Sequence, residues 1–314
     1  MNVFFLYFAI YTLQGIIEAS EWGMNDMQFA NDQGTFSVSH RKAQSHHMAA
    51  NHFHSTYEIF YLMSGKREFF IKDRTIIVSE GDVVIISPNI LHRTTNTEKP
   101  RHERLIINMH ESCMGTVNGS YREALQPLFE KEYLVVRRSL HDRGSLEALA
   151  RMLMQEMLDR RSGFEMYAQT LAMQLLIVCC RHIQQDSAEP LEAPSPMHER
   201  MSEVARYINE HYMEELTLDF LAQTFFVSPY YLSRCFKEAT GFTFVEYLNS
   251  VRIKEAKKLL EQSAMKVNLI AKKVGFGSVT HFGRVFKSVT GQVPLFYRKG
   301  KQAQPVGLGS SARD

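Results

Sequence analysis

The sequence predicts an α+β chain of two domains: an N-terminal β-barrel with two following helices, then an all-α domain of two tandem helix-turn-helix units. Three observations carry that prediction. Short β-rich runs separated by turn residues fill positions 35–110. Between 120 and 185 the apolar period becomes helical. The C-terminal third then repeats itself: SPYYLSRCFKEATG at 228–241 returns as SVTHFGRVFKSVTG at 278–291, and Tyr247 and Tyr297 keep the same offset of 50. Self-similarity at a fixed offset marks one supersecondary unit used twice.

A length of 314 residues with 45% hydrophobic and 22% charged residues fits about two globular domains. The net charge of +2 hides an asymmetry: residues 1–196 sum to −4, residues 197–301 to +6, and residues 237–301 alone to +9. The basic stretch coincides with the repeat, as a phosphate-facing surface requires. A solvated basic face would give the same charge. Cys113, Cys179, Cys180 and Cys235 form no C-x-x-C pair, so free thiols in a reducing, cytoplasmic setting are expected.

Residues 1–27 are set apart by VFFLYFAIYTLQGII at 3–17, an uncharged run with no preceding Lys or Arg. It is short for a membrane span and lacks the basic start of a signal peptide. An over-extended start before Met24 or Met27, a packed arm and a membrane anchor all remain open.

Residues 28–118 read as the β domain. Segment 35–39 alternates, and 57–63, 67–71, 75–78, 83–86 and 105–109 are β-rich. Ser64-Gly65, Lys72-Asp73, Glu80-Gly81-Asp82 and Ser87-Pro88-Asn89 separate them as turns. Residues 119–186 read as helical, with stripes Leu146/Leu149/Leu153/Met157 and Met166/Leu171/Leu175/Val178. Those stripes serve either a helical dimer interface or packing on the chain's own barrel. DSAEPLEAPSPM gives a linker at 187–197, the helical domain spans 198–300, and residues 301–314 read as a disordered tail.

Within 198–300, a first helix is predicted over 198–211, a short one over 218–224, a break at 225–227, and a helix from Ser228-Pro229 to Gly241. Leu232 and Phe236 face the core, which turns Tyr230, Ser233, Arg234 and Lys237 outward. Val279, Thr280, Gly283 and Arg284 take the corresponding face of the second copy, with Lys287 beside them. The helix between, 244–262, is roughly 28 Å long at 1.5 Å per residue. It can hold two reading helices about one DNA turn, ~34 Å, apart.

Residues 218–299 resemble the AraC/XylS family of bacterial transcription regulators. The resemblance rests on SPYYLSRCFKEATG, EYLNSVRIKEAKKLL and IAKKVGFGSVTHFGRVFKSVTGQVPLFYRKG. It implies two helix-turn-helix units on a rigid connecting helix. Base contacts are then expected from Tyr230, Ser233 and Arg234, and from Val279, Thr280, Gly283 and Arg284. Lys237, Lys287 and the helix starts at Ser228 and Ser278 are expected to hold phosphates. One departure is Phe226, which stands in the first turn where the family has Gly and the second copy has Gly275. Phenylalanine at positive φ is strained, so the first turn is expected to be distorted.

His52, His54 and Glu58 followed by Gly65, with His92 and Asn96 later, resemble a cupin barrel, the family's usual N-terminal domain. The Pro-x-Gly that precedes the later His in cupins is missing. If 52–58 is one strand, His52, His54 and Glu58 share a face. Together with His92 they are the candidate effector-binding set. They are also the candidate ligands of a divalent metal such as Zn, Fe, Mn or Ni. Structural hydrogen bonding is the third reading, and no obligatory cofactor is predicted. Tyr57 and Arg93 are placed at the mouth; His46 and His47 receive no role.

The expected function is a ligand-responsive, sequence-specific DNA-binding regulator, not an enzyme. By resemblance it is an activator with a sugar effector. Expected partners are double-stranded promoter half-sites, a small-molecule effector, a second copy in a homodimer and RNA polymerase, with no membrane. The alternatives are a metal-dependent cupin enzyme fused to a DNA-binding domain and an architectural DNA binder.

Overall fold

The computed structural model describes residues 27–43, 54–96, 101–114, 123–137, 144–185, 191 and 193–302. The expectations for the apolar segment at 1–26, for His46, His47 and His52, for the side chain of Asn96, for most of the linker and for the tail beyond 302 fall outside these residues. The chain divides into two compact units, residues 1–71 with 76–194 and residues 72–75 with 195–314.

Among the described residues, the first unit is an eight-stranded antiparallel sheet with helices on one face. Its strands are β1 Met27–Ala30, β2 Phe36–Ala43, β3 Tyr57–Ile71, β4 Arg74–Ser79, β5 Val83–Ile86, β6 His92–Asn96, β7 His102–Met109 and β8 Tyr133–Val136. The path runs β1-β2-β7-β3-β5-β8, and β4 and β6 also pair with β3. Alternation along the strands makes two cores. Tyr57, Ile59, Tyr61, Val83, Ile85, Leu105 and Ile107 pack outward against helices α2 Gly144–Asp159 and α3 Phe164–Gln185. Phe60, Leu62, Phe69, Ile71, Ile76, Val78, Val84 and Ile86 fill the inner side.

Three expectations for this unit are corrected. Ser64-Gly65 is not a turn: β3 runs through it as one strand of 15 residues, with a bulge between Leu62 and Ser64. Gly65 has φ +91°, and a Cβ there would collide with the Arg101 carbonyl oxygen. The glycine serves a close cross-strand approach, not a reversal. Second, the region 119–186 is not wholly helical. After the short helix α1 Gln126–Glu130, residues 133–136 pair with β5 as β8. Four residues are too few to reveal a strand by periodicity. Third, Met166 is 73% exposed, and the buried stripe of α3 is Ala168, Leu171, Ala172, Leu175, Leu176, Cys179 and Cys180. Burial of Cys180 pushes its thiol up to about 11, so it is an inert packing group.

Among the described residues from 195 on, the second unit forms helices: α4 Pro196–His211, α5 Leu218–Thr224, α6 Pro229–Thr240, α7 Phe244–Gln262, α8 Val267–Lys273, α9 Val279–Thr290 and α10 Pro294–Gln302. α4 starts two residues before the predicted 198, inside the expected linker. Ser195 is its N-cap, accepting from the His198 amide, and Pro196 is its first residue. α10 likewise carries on through Lys301 and Gln302, which were assigned to the tail.

The repeat is physical as well as textual. Ser228 and Ser278 cap α6 and α9, and Gly241 and Gly291 end them at φ +76° and +77°. Phe236 packs edge-on to Tyr247 at 5.4 Å, and Phe286 to Tyr297 at 5.5 Å. The offset is not uniform, however. α5 and α8 are 49 positions apart, whereas α6 and α9 are 50 apart, so the second turn contains one extra residue.

Both turns close with the same hydrogen bonds. The amides of Phe226 and Val227 donate to Gln223 and Ala222; those of Gly275 and Phe276 donate to Lys272 and Ala271. Phe226 has φ +54° and Gly275 φ +91°. The first turn is thus strained but undistorted. A Cβ at Gly275 would lie 2.8 Å from the Tyr212 carbonyl oxygen and 2.9 Å from the Arg252 guanidinium, whereas Phe226 is 91% exposed. The substitutions Phe226→Gly and Gly275→Ala therefore have opposite signs. The first relieves a left-handed cost of about 1–2 kcal/mol against a glycine entropy cost of roughly 0.5–1 kcal/mol, a small net gain. The second costs about 2 kcal/mol or more. Denaturant midpoints of the full chain check both.

Candidate nucleic-acid interface and effector cluster

Each α6 residue assigned to DNA sits on the solvent side. Leu232, Cys235, Phe236 and Ala239 are buried, which leaves Tyr230 (77% exposed), Ser233, Arg234 and Lys237 outward. With Glu238 these four line an open hollow of ≈ 380 Å³. Glu238 was not anticipated; its spacing of four from Arg234 was the available signal. On α9, Phe282 and Phe286 are buried, and Val279, Thr280, Arg284 and Lys287 are exposed. Gly283 is half-buried on the same face. His281, also exposed in the first turn of α9, was missed.

Ser228 and Ser278 have a local task. Their hydroxyl oxygens accept from the Tyr231 and His281 amides at 3.2 and 3.4 Å. They satisfy helix-start donors. Not every basic residue of the unit belongs to this surface. Arg252 donates to the carbonyls of Tyr212 and Glu214, both at 2.8 Å, and lies over the Phe276 ring at 5.6 Å. It holds the fold together.

In the first unit, His54, Glu58 and His92 converge, each offering one ligand atom within 4.8 Å of the others. The route differs from the shared-strand expectation. β3 begins only at Tyr57, so His54 belongs to the preceding coil. The His54 carbonyl accepts from the Asn89 amide at 2.8 Å, tying the coil to the 87–89 turn. His54 Nδ1 lies 2.9 Å from the Thr56 carbonyl, and His54 Nε2 lies 3.1 Å from Glu58 Oε2. His92, at the start of β6, bonds through Nδ1 to the Ile90 carbonyl at 2.9 Å and places Nε2 3.5 Å from the same carboxylate oxygen. Its ring stacks on Phe69 at 6.2 Å.

Burial alone would raise the Glu58 carboxyl, but His92 and His54 outweigh it and hold the group well below the usual carboxylate range. Burial works against a charged His92 as well, and Glu58 with the Ile90 carbonyl overcomes it, raising His92 above 6.5. Both shifts favour the charged form of each partner. Glu58 supports stability above its ordinary 4.5 and loses that contribution as pH falls through its depressed value. His92 contributes fully below 6.5 and loses the contribution as pH rises through its raised value. Protection of β3 and β6 amides in chelated, full-length protein should therefore decline on the alkaline side, and His92→Gln should flatten that decline.

Thr56 and Asn108 extend the polar cluster, their side chains 3.4 Å apart. Asn108, polar at an inward position of an apolar strand, was the legible signal. Tyr57 does not line a mouth. It is buried in the helix-side core against Phe129, and burial first, then Glu111, pushes its hydroxyl up to about 12. Arg93 alternates with His92, so β6 turns it to the other face. Chemically, two imidazoles anchored through Nδ1 and one carboxylate suit either hydroxyl recognition or a divalent metal such as Zn, Fe or Mn.

Known proteins match both units. Residues 33–176 match an AraC-like ligand binding domain, and residues 221–300 match a helix-turn-helix domain. The uncharacterized HTH-type transcriptional regulator YisR of Bacillus subtilis (strain 168) is 28% identical over 255 residues, covering 78% of this chain and 86% of its own. The HTH-type transcriptional activator RhaS of Salmonella arizonae is 26% identical over 265 residues, covering 81% and 89%. Among solved structures, an apo ToxT variant from Vibrio cholerae strain SCE256 aligns over 86% of this chain and 98% of its own, with 16% identity and a TM-score of 0.35. The chain belongs to the AraC family of DNA-binding transcriptional regulators, with an AraC-like ligand-binding domain followed by its helix-turn-helix domain.

Proposed function

We infer that the chain is an effector-responsive activator whose small-molecule ligand engages His54, Glu58 and His92, with His52 from the adjoining segment. One observation carries this: a charged cluster buried beside the apolar inner cluster of Phe60, Leu62, Phe69, Ile71 and Val84. Buried charge costs stability, so its retention argues for a ligand that uses it. Imidazole and carboxylate beside an aromatic ring suit a polyhydroxylated effector such as a sugar. On the DNA side, Tyr230, Ser233, Arg234, Val279, Thr280, Gly283 and Arg284 read bases, and Lys237, Lys287, Ser228 and Ser278 hold phosphates. Exposed Met152, Leu158, Met166 and Tyr167 on α2 and α3 support a homodimer. Among the described residues no helix is long and apolar enough to cross a membrane, and the proposed location is the cytoplasm, where an activator meets RNA polymerase.

Footprinting of the adjacent promoter with and without a panel of sugars tests the reading. A sugar-dependent footprint that Glu58→Gln removes is the expected result; a footprint indifferent to every sugar overturns the sugar assignment. A metal at His54, Glu58 and His92 is the second reading, favoured by the ligand-atom spacing. Elemental analysis of purified protein, with stoichiometric metal lost in His92→Gln, decides for it.

A further inference from the structure

α9 contains a residue that its own unit does not ask for. Gly283 is the fifth residue of a twelve-residue helix, where glycine is a poor choice. Its φ is not positive, so no left-handed turn requires it. An added Cβ would meet nothing within 4 Å, so no neighbour excludes a side chain. A glycine demanded by neither backbone nor packing, on an exposed recognition face, is accounted for by something that approaches from outside.

What lies beside it narrows the chemistry. Val279, one turn earlier on the same face, is 49% exposed. Thr280 and Arg284 flank the pair. At 100° per residue, positions 279, 280, 283 and 284 fall within a single face of the helix. Val279 has no hydrogen-bonding side-chain group, and in the major groove only the C5-methyl of thymine offers an apolar partner. The corresponding positions of α6 are Pro229, Tyr230, Ser233 and Arg234; Pro229 is also apolar and exposed, but Ser233 puts a hydroxyl where α9 has the bare backbone of Gly283. Resting on the DNA-binding reading of this unit, we propose that α9 seats one thymine C5-methyl in the notch between Val279 and Gly283. This readout has no counterpart in α6. Val279 supplies the contact, and Gly283 lets the base edge come close.

Full-length protein would be used to enrich duplexes from a random pool, and each thymine of the best duplex replaced singly by deoxyuridine, which removes only the methyl. For the wild type, one thymine should show a loss of about fourfold, the weight of one buried methylene. Val279→Ala should abolish the uridine penalty there and leave the other positions unchanged. Gly283→Ala should raise Tm, since alanine is the better helix former, yet weaken binding several-fold. Those opposite signs separate a groove contact from a folding defect. The proposal is overturned if no thymine shows a penalty that Val279→Ala removes, or if Gly283→Ala binds as tightly as wild type. Enrichment of no duplex at all would overturn the DNA-binding reading together with it.

Discussion

Glu58→Ala should destabilise the first unit by about 3–5 kcal/mol, the range for removing one partner of a buried ion pair. Glu58 is 3% exposed and His92 1%. Without the carboxylate, His92 either keeps an uncompensated charge or gives up the Nε2 proton while Nδ1 still donates to the Ile90 carbonyl. A double substitution distinguishes the pair from simple cavity formation. Glu58→Gln with His92→Phe removes both charges and keeps a ring on Phe69, so it should recover most of the loss. Guanidinium unfolding of the full chain gives the numbers. Single variants within 1 kcal/mol of wild type would mean that the pair is not ionic.

Arg234→Ala and Arg284→Ala should each cost about 1–3 kcal/mol of specific DNA affinity, with specificity relaxed at different positions of the site. Both side chains are exposed on the outward faces of α6 and α9. Lys237→Ala and Lys287→Ala should instead weaken binding evenly across sequences and lower the salt slope by about one each. Arg252→Ala provides the contrast. Its guanidinium is bonded to two carbonyls within the helical unit, so its loss should lower stability before it alters specificity. Competition binding against a permuted site library reads specificity, its repetition over a salt series gives the slopes, and guanidinium unfolding reads the stability of Arg252→Ala. Identical specificity profiles for the two arginine variants would show that the two helices do not read independently.

The helical unit was largely legible because its information is local. Ser caps, Pro at the first turn, Gly at the left-handed end and the Phe/Tyr pairs all recur at a readable offset. The sheet was less legible because its decisive contacts are distant in sequence. The role of Gly65 depends on a carbonyl 36 positions away, at Arg101, and β8 exists because β5 has an open edge. The identities of His54, Glu58 and His92 were readable, but their convergence was not. It comes from a coil pinned to the 87–89 turn rather than from strand parity. Phe226 is strained as expected, but the expected distortion of its turn is absent; the turn tolerates it because it faces open solvent at a place where the second copy has Tyr212 and Arg252.

β3 has a mechanical consequence. From Tyr57 to Leu62, successive side chains serve opposite cores: Tyr57, Ile59 and Tyr61 press on the helix layer, while Phe60 and Leu62 fill the inner side with Glu58 beside them. Protein interiors have almost no slack. Pressure on the inner residues is therefore expected to shift the seating of α2 and α3 instead of being absorbed within one layer. The strand works as a push-rod shared by two packed chambers, and its stiffness, set by its pairing with β5, β6 and β7, fixes how much of a disturbance at Glu58 reaches the helices.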